Sequence, residues 1–167
     1  MSRILVAGIG NIFKGDDGFG VAVAQLLADR KLPPEIRVVD FGIRGLDLAY
    51  ALLDGYDAAV LVDAVQRGAA PGTIQVIEPA PPDAGEPPET ALSPHAMDPQ
   101  SVLRLAALLG DPCRRILLVG CEPESFGDEE FGTMALSAAV AAAVGEAADT
   151  VERLARGLTC EIEQEIA

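Results

Sequence analysis

The sequence predicts a three-layer α/β/α domain built on a mostly parallel sheet. Short strand-like runs alternate with helix-like patterns along the chain. Residues 3–9 read as a continuous apolar strand, residues 58–62 as a buried one, and Cys121 ends a further apolar run, as in strands covered on both faces. The chain has 167 residues and is 50% hydrophobic, which suits one domain over 1–167 with a sizeable core.

Residues 3–9 form the first expected strand. Gly8 and Gly10 then turn the backbone, and Asp16 and Asp17 arrive at a helix start, Asp16 as N-cap and Asp17 in the first turn. Phe19, Val23, Leu26 and Leu27 fall on one helical face, and Pro33-Pro34 breaks the helix. A second strand runs from Ile36 to Phe41. After a Gly42/Gly45 loop, Leu46, Ala49, Tyr50 and Leu53 mark a short amphipathic helix closed by Gly55. The third strand, Ala58 to Val62, carries Asp63 at its carboxyl end.

Residues 66–72 are too few for a crossover helix. Thr73 to Glu78 is therefore expected to run antiparallel to the strand before it. A proline-rich loop spans Pro79 to Pro94. Asp98-Pro99 reads as N-cap and first residue of a helix, with Leu103, Ala106 and Leu109 inward and Gly110 as the stop. Arg115 to Cys121 is the last strand. Leu136, Val140, Val144, Ala148, Val151, Leu154 and Leu158 trace one face of a long final helix, and residues 161–167 read as an acidic tail.

Twenty-six acidic residues face 12 basic ones, a net charge of -14. The basic residues are scattered, which argues against nucleic-acid and anionic-membrane partners. Cys113, Cys121 and Cys160 form no CxxC pair and no even-numbered framework, as expected in a reducing, cytoplasmic setting. Cys121 ends an apolar run and reads as core filler. The amino terminus shows no signal-peptide pattern, and no apolar stretch reaches membrane-spanning length.

Open α/β sheets bind ligands beyond the carboxyl ends of their strands. Asp16 and Asp17 follow the first strand, Asp63 ends the third, and His95, the sole histidine, precedes the helix capped by Asp98. Taken singly, each has an ordinary reading as cap, turn residue or surface group. Together, two carboxylates and a neutral imidazole suit a divalent first-row metal and leave coordination positions open. Other motifs are absent. Phe13 stands where GxGxxG requires its third glycine, no GxSxG or Walker sequence occurs, and no DTG-type triplet supports an aspartic-protease dyad of Asp16 and Asp63.

Gly8-Ile9-Gly10-Asn11, then Asp16-Asp17-Gly18-x-Gly20, Asp63 after an apolar strand, and Ser93-Pro94-His95 together resemble the hydrogenase maturation proteases. Val119-Gly120-x-x-Pro123-Glu124-Ser125 is similar to that family's segment after the last strand. The resemblance runs from Arg3 to about Leu154. It implies a phosphorylase/hydrolase-like sandwich around a mixed five-stranded sheet with one antiparallel strand. It also implies an endopeptidase that removes a carboxy-terminal extension from the large-subunit precursor of nickel–iron hydrogenases after nickel insertion. The implied metal ligands are Asp17, Asp63 and His95, and the nickel is the substrate's own. Asp16 is the candidate for orienting a water or capping the helix. The first ligand is glutamate in some relatives, one methylene longer than Asp17. Ile43 replaces the threonine common in the family's loop after the second strand. Two other functions fit the same fold: a silent nickel-binding assembly chaperone, and a nucleotide-binding domain indifferent to His95.

Overall fold

The computed structural model describes residues 1–81 and 98–167. Its elements are β1 (Ile4–Ile9), a 3-10 turn (Gly15–Gly18), α1 (Phe19–Ala28), β2 (Ile36–Gly42), α2 (Gly45–Leu52), β3 (Ala58–Ala64), β4 (Ile74–Ile77), α3 (Pro99–Leu109), β5 (Arg115–Cys121) and α4 (Ala138–Ile166). The strands form one sheet in the order β2-β1-β3-β5-β4. β1 pairs parallel with β2 and β3, β3 pairs parallel with β5, and β4 runs antiparallel to β5. This is the mixed five-stranded sandwich the sequence led us to expect.

Strands β1 and β3 are buried along almost their whole length, as layers covered on both sides must be. One core packs α1 and α4 on the sheet, with Phe19, Val23, Val62, Val119 and Val151 inside it. The other packs α2 and α3, through Leu5, Leu48, Leu52, Leu61 and Ala106. The first connection leaves β1 toward β2 and the chain then returns past β1 to β3. The sheet therefore has its switch point between β1 and β3, where the loops diverge and leave a crevice. No described helix is long and apolar enough to cross a membrane.

The structure corrects several local expectations. Residues 74–77 are antiparallel in the sheet, but their partner is β5, not β3. The buried side of α2 is Leu48, Ala49 and Leu52, while Leu46 and Tyr50 are exposed. The segment is apolar on nearly every side, so periodicity alone could not choose the face, and packing on the sheet did. Leu26 and Leu109 are likewise exposed, and Leu136 lies before α4 rather than in it. Residues 161–167, read as a tail, stay helical to Ile166, and Glu161 pairs with Arg115 at 2.9 Å. Two other features match the sequence reading. Asp98 caps α3, accepting from the Ser101 amide at 3.0 Å and its hydroxyl at 2.6 Å, with Pro99 next. Cys121 is fully buried, and burial pushes its thiol up to about 11.

Candidate active site

The loop after β1 folds back on itself and brings Asp17 to the switch point. Two glycines permit the tight packing. Gly10 has φ 143°, and a Cβ there would collide with the Asp17 carbonyl. A Cβ on Gly20 would strike the carbonyls of Val62 and Ile9, so only glycine lets α1 start against the ends of β1 and β3. The turn is closed by the Asn11 side chain, which accepts from the Phe13 amide at 2.9 Å. The Asn11 amide in turn donates to Asp17 Oδ2 at 2.9 Å.

Asp63 stands at the end of β3, level with Gly120 of β5. It is 5% exposed, and its one hydrogen bond among the described residues comes from the Ala64 amide, at 2.8 Å to Oδ1. Burial raises its pKa well above the usual aspartate range, and the negative charges of Asp17 and Asp98 push it the same way. It borders a cleft of about 430 Å³ that also includes Gln66, Arg67 and Asp98. A carboxylate held among carboxylates in a low-dielectric site is relieved by a cation or a proton.

Asp16 does something else. It was expected to cap α1 or to orient a water, but the N-cap of α1 is Gly18. The Asp16 side chain is completely buried. Its carboxylate accepts from the amides of Glu124 (2.8 Å), Ser125 (3.0 Å) and Ser137 (2.7 Å) and from the Ser137 hydroxyl (2.8 Å). Burial alone would raise its pKa, but the Ser125, Ser137 and Glu124 amides and the Ser137 hydroxyl outweigh it and hold the group below the usual range. Asp16 thus ties the segment between β5 and α4 to the turn carrying Asp17.

The structure therefore brings Asp17 and Asp63 to one edge within electrostatic reach of each other. His95 lies outside the described residues. Among the described residues, no three His, Cys, Asp or Glu side chains are grouped closely enough to hold a metal ion. The two carboxylates supply hard oxygen donors and excess negative charge, a set that fits a divalent ion once a further donor is added. Sequence reasoning assigned nothing to Glu122. It is buried and accepts from the Arg67 amide at 2.8 Å and the Gly68 amide at 3.2 Å, which fixes the loop beside Asp63. Its sequence signal, an acid directly after an apolar strand, was as plain as that of Asp63. Ile43 is 58% exposed on the loop after β2.

Fold and site define an α/β/α protein with an acidic centre at the switch point of its sheet. The model of the hydrogenase maturation protease family (HycI) matches residues 21–154, a span that contains Asp63 and His95. The chain belongs to the hydrogenase maturation protease family. It is similar to the hydrogenase expression/formation protein HoxM of Azotobacter vinelandii, 37% identical over 133 residues, which are 78% of this chain and 61% of that protein. HoxM of Cupriavidus necator is 33% identical over 157 residues, covering 90% of this chain and 74% of its own length. Among solved structures, the hydrogenase maturating endopeptidase HybD from E. coli superposes with a TM-score of 0.70 at 29% identity, over 89% of each chain. The chain thus spans about three-fifths of the length of the Azotobacter relative (61%).

Proposed function

We propose that this protein is a processing endopeptidase that cuts the carboxy-terminal extension from the large-subunit precursor of a nickel–iron hydrogenase after nickel has been inserted. Family membership and the names of its relatives support the reaction class. The observation that carries the site assignment is the Asp17/Asp63 pair. It is acidic and mutually repelling, and among the described residues it receives few hydrogen bonds, at the edge where such sheets bind ligands. Nickel borne by the precursor would be met by Asp17, Asp63 and His95. A precursor without nickel would offer this acidic centre nothing to bind, so cleavage would follow metal loading. Asp17, Asp63 and His95 would hold the ion, which would supply Lewis acidity toward a scissile carbonyl or a water. The chain's own part is to orient the two carboxylates, through the Asn11 and Ala64 amides.

The test is the intact mass of the precursor after incubation with this protein, with and without nickel. Loss of the extension only from the nickel-loaded precursor, abolished by His95→Ala in a protein that still melts cooperatively, is the expected result. Equal cleavage of nickel-free precursor contradicts metal guidance. Stable complex formation with no change in mass identifies an assembly chaperone instead.

A further inference from the structure

Beside Asp17 lies a second cleft, of about 650 Å³, between the loop after β1 and the loop after β5. Asp17 forms part of its wall, so the cleft borders the acidic centre on the Asp17 side. Its apolar surfaces are Phe13, 57% exposed, and Phe126, 39% exposed. Among the described residues, its charged groups are Asp17, Asp128 and Glu129 against Lys14. Phenyl rings left open to solvent next to a reactive centre mark a contact surface.

The two walls are tied together. The Gly15 amide donates to the Thr133 carbonyl at 2.7 Å, the Thr133 amide to the Phe13 carbonyl at 2.8 Å, and the Asp16 amide to the Ser125 carbonyl at 3.0 Å. The Asp16 carboxylate clamps the same segments from beneath. Asp128 is held by the amides of Glu130 and Phe131, at 2.8 and 2.9 Å. A groove so braced is formed before its ligand arrives, which lowers the ordering cost of binding.

We propose that this cleft seats the precursor polypeptide next to the bond to be cut, as an extended segment bearing apolar and cationic side chains. The inference rests on the endopeptidase reading. Three carboxylates against one ammonium select for positive charge and against an acidic segment or a nucleic acid. The rings offer the apolar contact, and continuity with Asp17 places the segment within reach of the centre.

The experiment measures KM and kcat for full-length nickel-loaded precursor, by intact mass, and the affinity of the complex by calorimetry. The variants are Phe13→Ser/Phe126→Ser, Glu129→Lys, and Leu108→Ser as a control. Leu108 is 61% exposed, near the end of α3 that points away from the carboxyl edge. The double variant and Glu129→Lys should each raise KM and Kd about tenfold with kcat changed by less than about twofold, while Leu108→Ser matches wild type. Wild-type KM in the double variant, or in Glu129→Lys should the double variant fail to fold, overturns the docking cleft and leaves the endopeptidase reading standing. A wild-type protein that neither binds nor cuts the precursor overturns both.

Discussion

Asp16 and Asp63 lie at the same edge of the same sheet, and both are nearly sealed from solvent. Asp16 receives hydrogen bonds from three amides and a hydroxyl. Among the described residues, Asp63 receives one, from its own neighbour Ala64, and has the charges of Asp17 and Asp98 to contend with. The first is held below the usual carboxylate range and the second well above it. A buried carboxylate with its lone pairs satisfied fastens the chain. One left short of donors beside a like charge keeps a place for a cation.

The sharpest test of that contrast exchanges Asp63→Asn. Processing should fall by at least about a hundredfold, as when a group that fixes the reacting centre is lost. The fold should become more stable by about 1 kcal/mol, because the amide carries no buried charge. Precursor mass over time and the urea midpoint read the two effects. If the variant is both active and destabilised, the assignment of Asp63 fails.

Asp16→Ala should do the opposite. It strands the Glu124, Ser125 and Ser137 amides, which should lower stability by about 3 kcal/mol or more in urea denaturation. Wild-type stability in that variant would mean that Asp16 fastens nothing.

Acid separates the two groups next. The folded-state pKa of Asp16 is depressed, so its contribution is complete above the ordinary aspartate value of about 3.9 and is lost as pH falls through the lower folded value. Asp63, with a raised pKa, acts in the other sense: its charge weakens the fold as pH rises above the ordinary value. The urea midpoint should therefore drop steeply below about pH 4 in wild type and less steeply in Asp16→Asn. Asp63→Asn should gain most near neutrality.

The smallest effect concerns Ser2, whose hydroxyl is buried with no hydrogen-bond partner among the described residues. It is a polar group short of partners but without charge. Ser2→Ala should be neutral or stabilising by no more than about 1 kcal/mol, measured by thermal unfolding. A clear loss of stability would mean that a shortfall of partners does not by itself mark a site.

The strands and the capped start of α3 were legible because their signals are local. Apolar runs such as Ile4–Ile9 and the pair Asp98-Pro99 carry their own patterns. Asp17 and Asp63 could be singled out because each ends or follows such a run. The role of Asp16 could not be read this way. Its donors lie 108 to 121 residues away, and an aspartate before a helix looks the same whether it caps that helix or braces a distant one. The same limit explains β4. Its length and short connection announced an antiparallel strand, while its partner β5 is a matter of tertiary placement. The similarity of Pro123-Glu124-Ser125 to the family's segment was visible in the sequence. Its physical reason, the grip of Asp16 on that backbone, needed coordinates.

The most direct measurement of the central claim is the nickel X-ray absorption edge of loaded precursor, mixed with this protein and frozen before processing. Direct engagement of the ion by Asp17, Asp63 and His95 predicts new oxygen and nitrogen neighbours around nickel that are diminished with Asp63→Asn. A nickel environment identical with and without the protein, in a mixture that goes on to process normally, would contradict it.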